Sequence, residues 1–113
     1  MKYILILISA LLITSCLGDC DTTAEMYQES ECLIIVKKVP NPKSLHRFKI
    51  IGLDPGTLKE FTYAEENRWF CSFYSKIESG DTIIKRKGQL SFNIHKKDTT
   101  LIFNYECNGK TYK

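Results

Sequence analysis

The feature that most constrains the fold is an alternation of apolar and polar residues in two neighbouring stretches. The apolar positions are Leu90, Phe92 and Ile94 in the first stretch and Leu101, Phe103, Tyr105 and Cys107 in the second. A period of two is typical of a β-strand with one buried face. A four-residue loop over 96–99 would place Leu90, Phe92 and Ile94 opposite Tyr105, Phe103 and Leu101. The pattern predicts an antiparallel hairpin with its apolar side chains on one face.

Further strands are predicted upstream of this hairpin. The runs that favour them are Leu33–Val39, Leu45–Leu53, Leu58–Tyr63, Arg68–Ile77 and the TIIKRK segment after Gly80-Asp81. The first run ends at Pro40 and Pro42, which cannot donate to a ladder. In the fourth run, Trp69, Cys71 and Phe73 would share one face.

The N-terminal part of the domain favours a short helix. Thr22 stands three residues before Glu25, which is a capping-box spacing, and the helix would continue to about Ser30. With 113 residues the chain is long enough for one domain. We therefore expect an all-β fold of six to seven strands with one short N-terminal helix. It is a small OB-like barrel or a β-sandwich, and we prefer the barrel.

The first fifteen residues have a different composition. Lys2 is their only charge, and an apolar run extends from Ile4 to Ile13. A helix of about ten residues spans only about 15 Å, half of a hydrocarbon core. The run is therefore interpreted as an export signal rather than a permanent membrane span.

The tetrapeptide Ile13-Thr14-Ser15-Cys16 ends this segment. It resembles the lipobox of bacterial lipoproteins. The resemblance covers residues 1–16 and implies cleavage before Cys16, lipid on the Cys16 sulfur and acylation of the new amino terminus. Residues 1–15 are then a signal peptide, 16–21 a lipidated tether and 22–113 the all-β domain. Leu17 replaces the aspartate linked to inner-membrane retention, so the resemblance points to the outer membrane.

Five cysteines are present, and lipidation of Cys16 would leave an even number in an exported domain. Two disulfides are then expected among Cys20, Cys32, Cys71 and Cys107. Sequence alone allows three connectivities. We favour Cys71 with Cys107, because both are predicted on buried strand faces, and this leaves Cys20 with Cys32.

Charge does not identify a ligand. Loss of Lys2 with the signal would lower the formal net charge of +3 by one, to near neutrality. Basic residues cluster within 37–49 and within 85–97. The second cluster supplies a candidate binding surface for phosphate-rich lipid heads or polyanionic glycans: Lys85, Arg86, Lys87, His95, Lys96 and Lys97. A solvated face is the simpler interpretation.

Signatures of catalysis and cofactor binding are weak. No cysteine pair has zinc-site spacing, and the two histidines, His46 and His95, lie far from any cysteine in sequence. Glu60, Glu65 and Glu66 occur in a hydrophilic turn context, where solvated carboxylates are expected. Asp81 is expected to cap its own turn. We predict no catalytic residues, no metal, no cofactor and no nucleic-acid partner.

The segment IESGDTIIKRKG, followed by the alternating hairpin, a late cysteine and the pair Gly109-Lys110, resembles a stretch of small lipoproteins of the Bacteroidetes type. The resemblance covers about residues 69–112 and implies kinship without an activity. We expect a membrane-anchored, non-catalytic binding domain that contacts a protein partner in the cell envelope, as inhibitors and immunity proteins do. A glycan-binding accessory, an envelope enzyme using the basic loops and a purely structural role are the alternatives.

Overall fold

The computed structural model describes residues 19–41 and 43–112. The signal segment and Cys16 therefore lie outside the described residues. The elements in chain order are α1 (Cys20–Gln28), β1 (Cys32–Lys38), β2 (Arg47–Leu53), β3 (Glu60–Glu66), α2 (Arg68–Cys71), a 3-10 turn (Tyr74–Lys76), β4 (Thr82–Lys85), β5 (Ser91–His95), β6 (Thr100–Cys107) and β7 (Lys110–Tyr112).

The seven strands form a single antiparallel sheet in the order β3-β2-β1-β4-β5-β6-β7. Strands β3 and β7 are the two ends of this order. The predicted all-β class, the number of strands and the short N-terminal helix are confirmed. The connection from β3 to β4 passes β2 and β1, and it carries α2 and the 3-10 turn.

The predicted register of the last hairpin is confirmed. Phe92 pairs with Phe103 and Ile94 pairs with Leu101. The backbone N–H of Tyr105 donates to the carbonyl of Leu90 at 2.9 Å, which extends the same register by one further pair. Residues 96–99 form the loop, closed by a hydrogen bond from Lys96 N to Thr99 O at 2.8 Å.

One face of the sheet forms the core together with the helices. Phe48 on β2 and Phe92 on β5 are fully buried, and the ring of Phe70 in α2 lies 5.4 Å and 4.9 Å from them. Tyr27 of α1 lies 5.2 Å from Tyr105 of β6. The helical segments thus cover the apolar face, which explains why the strands bury alternate residues.

The predicted fourth strand, Arg68–Ile77, is wrong. This segment forms α2 and the 3-10 turn instead. Asn67 caps α2, because its side-chain oxygen accepts from the backbone N–H of Phe70 at 2.9 Å. Phe70, Tyr74 and Ile77 are all buried, and their spacing of four and three residues is that of a helical face.

Helix α1 begins earlier than the capping-box spacing predicted. Asp19, not Thr22, is the N-cap: its carboxylate accepts from the backbone N–H of Asp21 at 3.0 Å and from the Thr22 hydroxyl at 2.7 Å. These hydrogen bonds hold the pKa of Asp19 below its usual value. The folded domain therefore includes the last residues assigned to the tether.

Candidate functional site

The cysteines pair differently from the prediction. Cys20 at the start of α1 and Cys107 at the end of β6 form a disulfide, with Cα atoms 5.8 Å apart. The pairs Cys71–Cys107 and Cys20–Cys32 are therefore wrong. Cys71 belongs to α2, whereas Cys107 ends β6, so the two cysteines do not lie on neighbouring strand faces.

Cys32 and Cys71 are free thiols and both are buried. Burial raises the pKa of each thiol, and the Glu65 carboxylate raises that of Cys32 further. A thiolate is the reactive form, so these two side chains are core residues rather than nucleophiles.

Lys85, one of the predicted binding residues, is fully buried on the core face of β4. Its side-chain nitrogen donates to the backbone carbonyls of Tyr27 at 2.8 Å, Gln28 at 3.1 Å and Ser30. The carbonyls of Tyr27 and Gln28 belong to the last turn of α1, where partners within the helix are lacking, and that of Ser30 follows the helix. Burial lowers the pKa of the ammonium group, and nearby glutamates oppose this effect. Lys85 is thus a structural cap and not part of a surface.

The remaining basic residues of the predicted surface lie in two separate places. Strand β4 pairs antiparallel with β5, with Thr82 opposite His95. Arg86 and Lys87 follow β4, whereas Lys96 and Lys97 follow β5. The two pairs therefore project from opposite ends of the strand pair, about 13 Å or more apart. The structure does not bring these basic side chains together.

Lys96 is held by carboxylates. Its nitrogen lies 2.6 Å from Asp81 Oδ2 and 3.6 Å from Glu78 Oε1, and the hydrogen bond to Asp81 raises the Lys96 pKa. Asp81 also accepts from the backbone N–H of Glu78, so it stabilises its turn, though not through an Asx turn of its own. At the other end, Lys87 pairs with Glu29 at 3.3 Å. Much of the positive charge is therefore already paired.

The two histidines occupy different settings. His46 is exposed beside an open groove of about 530 Å³, which Met26, Tyr27, Glu66, Asn67 and Arg68 also line. Its backbone carbonyl accepts from Asn67 N at 2.9 Å. Within the described part of the chain no side chain hydrogen-bonds to the His46 imidazole. His95 is exposed, with Nδ1 3.4 Å from the Thr100 hydroxyl across the hairpin.

A site that the sequence analysis missed lies along β6. On one side β6 pairs with β5 over Thr100–Asn104, but on the other side β7 pairs only with Tyr105–Cys107. Hydrogen bonds at Tyr105 and Thr99 show that the odd-numbered residues of β6 bond toward β5. The hydrogen-bonding direction alternates from one strand residue to the next. The N–H and C=O groups of Thr100, Ile102 and Asn104 therefore point away from β5. No described strand pairs with them there.

A groove of about 400 Å³ follows this free edge. Trp69, Phe73 and Phe103 line it from the core face, and Ile102, Asn104 and Glu106 line it from the opposite face of β6. Side chains from both faces of one strand meet only at a strand edge. Phe73 and Phe103 stack with ring centroids 4.5 Å apart and remain half-buried, and Ile102 is 62% exposed. The site lies beyond the part of β6 that pairs with β7, and the sequence pattern did not reveal it.

Comparison of the chain with protein-family models, curated proteins and solved structures finds no match. Among residues 19–41 and 43–112, none of the helices has the length and apolar character needed to span a bilayer. The same ranges contain no group of three or more histidine, cysteine or acidic side chains arranged to hold a metal ion.

Proposed function

We propose that this chain is an exported lipoprotein, anchored through lipid on Cys16, whose folded domain binds a protein partner in the cell envelope without catalysing a reaction. The observation that carries the binding role is the free edge of β6 with its aromatic groove. Exposed backbone donors and acceptors beside apolar side chains are the elements of a protein-binding site.

The disulfide supports an exported location. Cys20 and Cys107 are 87 residues apart in sequence, and their bond ties the first helix to the end of β6. Such bonds persist in oxidising compartments and are rare in the cytosol. This assignment agrees with the export signal expected from residues 1–15.

Anchoring at Cys16 would hold the domain close to the membrane. Helix α1 begins at Cys20, so only three residues separate the lipidated cysteine from the helix. At a maximum of about 3.5 Å per residue, the link reaches roughly 14 Å. The partner would therefore be a protein at the membrane surface, and Leu17 favours the outer membrane.

Lipidation is tested with an alkyne-bearing palmitate fed to the native bacterium. The wild-type chain should incorporate the label and enter the detergent phase of Triton X-114, and Cys16→Ser should do neither. Cys71→Ser, at a thiol outside the disulfide, is the matched control and should keep the label. Label retained in Cys16→Ser, or absent from the wild type, would contradict the anchor.

The binding role is tested by reversible cross-linking in intact cells, followed by purification of the tagged full-length chain. We expect a specific envelope protein to copurify with the wild type and to be lost or reduced with Cys16→Ser. Repeated purification without any specific partner, under native expression, would argue against a binding protein.

A further inference from the structure

The geometry points to strand addition as the way in which the partner is recognised: an extended segment of the partner pairs with Thr100–Asn104 of β6. This inference rests on the proposed binding function and names the chemistry of the partner. The segment runs antiparallel to β6, along the line that β7 occupies beside Tyr105–Cys107.

The backbone of β6 supplies the template. Thr100, Ile102 and Asn104 each present one N–H and one C=O group to the free edge, and no strand among the described residues pairs with these six groups. An incoming strand of about five residues, about 17 Å long, satisfies all of them. Peptide recognition by strand addition uses such main-chain hydrogen bonds for affinity and side-chain pockets for specificity.

The groove defines which side chains the segment carries. On the core face, the half-buried rings of Phe73 and Phe103 border the space that a neighbouring strand would enter. An aromatic or branched aliphatic residue fits there, since it completes the burial of these rings. On the opposite face, Ile102 favours a β-branched neighbour. The segment therefore carries apolar residues at the alternate positions that face the core, and a β-branched residue beside Ile102 on the other face.

The two edges of the sheet differ in whether charged side chains protect them from pairing with another strand. Strand β3 begins and ends with Glu60 and Glu66 and also carries Glu65, whereas Thr100–Asn104 carries no charged residue. Charged side chains commonly block unwanted pairing at sheet edges. The uncharged stretch of β6 is the edge left open to pairing.

The position of β7 favours a different protein over a second copy of this chain. Antiparallel pairing of two copies about Ile102 would bring residues 97–99 of each copy to the line that β7 of the other copy already occupies beside Tyr105–Cys107, so the two copies would collide. Glu106 is the charged side chain among those that line the groove. We therefore assign the site to a partner segment with a lysine or arginine near Glu106.

The test uses random nine-residue peptides displayed on phage, selected against the full-length lipidated chain in detergent micelles. We expect selected peptides to show alternating apolar residues and a basic residue. Ile102→Pro removes an outward N–H without touching the β5 ladder, and it should weaken binding at least about tenfold. Thr62→Pro, at an outward position in the middle of β3, is the matched control and should bind like the wild type.

N-methylated peptides provide a readout that does not alter the protein. Methyl groups on the alternate peptide nitrogens that face β6 should reduce affinity at least about tenfold. Methyl groups on the intervening nitrogens should leave it nearly unchanged. Equal effects of the two sets, or equal binding by folded Ile102→Pro, would overturn strand addition. So would failure to select any peptide.

A wild-type dimer that Ile102→Pro dissociates in sedimentation velocity would overturn the assignment to a different protein.

Failure of strand addition and failure of the proposed lipid anchor give different results in these experiments. Peptide binding without palmitate on Cys16 would overturn the anchor alone. A lipidated chain whose cross-linked partner is not displaced by the selected peptide would overturn strand addition alone.

Discussion

The side-chain nitrogen of Lys85 lies 2.8 Å from the backbone carbonyl oxygen of Tyr27, and the lysine itself is fully buried. This contact joins β4 in the middle of the sheet to the end of α1. An ammonium group has three donors, and here they meet three carbonyls around the helix end. The interaction therefore fixes where α1 ends on the core face.

Replacement of Lys85 by methionine should destabilise the domain by about 1–3 kcal/mol, because the Ser30 carbonyl loses its donor and those of Tyr27 and Gln28 keep only the backbone N–H groups of Ser30 and Gly88. Urea unfolding measured by Trp69 fluorescence provides the free energy of unfolding. Lys87→Met is the control: its side chain is 66% exposed, so its ion pair with Glu29 should contribute less than about 1 kcal/mol. Equal stability of the two variants would contradict a structural role for Lys85.

Loss of the disulfide should cost about 4–5 kcal/mol, because the bond closes a loop across an 87-residue separation and restricts the unfolded chain. Cys20→Ser/Cys107→Ser is compared with the oxidised wild type by urea unfolding. Alkylation of the denatured, unreduced protein, followed by peptide mass analysis, should label Cys32 and Cys71 and leave a Cys20–Cys107 cross-linked peptide. Any other cross-linked pair would contradict the structure.

The sequence predicts those parts of the fold that local patterns decide. The β5–β6 register was predictable, because a short loop and a period of two leave one arrangement with every apolar side chain on one face. The helical structure of the segment from Arg68 to Ile77 was not predictable, because its apolar residues suit either a strand or a helix. Packing against β2 and β5 decides between the two.

The candidate sites depend on long-range contacts that sequence patterns do not contain. The Cys20–Cys107 pair requires α1 to lie beside the end of β6, and Lys85 is buried because the same helix covers β4. The free edge of β6 becomes visible only once the pairing of β7 with Tyr105–Cys107 is known. Each of these features depends on how elements that are distant in sequence, or neighbouring strands, pack in the fold.

Gly52 should tolerate no side chain. It lies on β2 opposite Val36, next to an irregularity in the β1–β2 ladder. A Cβ atom there would overlap the carbonyl oxygen of Ile35 and lie 2.8 Å from Cγ1 of Ile34. Gly52→Ala should therefore force the central strands apart and destabilise the domain by about 3 kcal/mol or more.

Gly56→Ala is the matched control for this substitution. Its Cβ would approach Asp54 Oδ1 at 3.2 Å in an exposed turn, so we expect a change within about 1 kcal/mol. Thermal and urea unfolding of both variants measure the difference. A Gly52→Ala protein as stable as Gly56→Ala would show that β1 and β2 do not approach as closely as described.

Ionisation of Tyr112 should make the free energy of unfolding depend on pH in the alkaline range. Its hydroxyl donates to Asp21 Oδ1 at 2.7 Å and thereby links β7 to the first turn of α1. The hydrogen bond raises the pKa of Tyr112 from its usual value of 10 to about 12, since the carboxylate also disfavours a phenolate nearby. The pKa of Tyr112 is higher in the folded chain than in the unfolded chain. The stabilisation that this hydrogen bond provides is therefore complete below pH 10 and is lost as the pH rises toward 12.

Unfolding free energies of the wild type and Tyr112→Phe should therefore differ at pH 8, and the difference should shrink as the pH rises above 10. Absorbance at the tyrosinate band follows the ionisation itself. Asp21→Ala removes the acceptor and should return the Tyr112 pKa toward its usual value, whereas Asp21→Asn keeps an amide oxygen and should do so less completely. A pH-independent difference between wild type and Tyr112→Phe would contradict this hydrogen bond, because a tyrosine without the acceptor would titrate alike in the folded and unfolded chains.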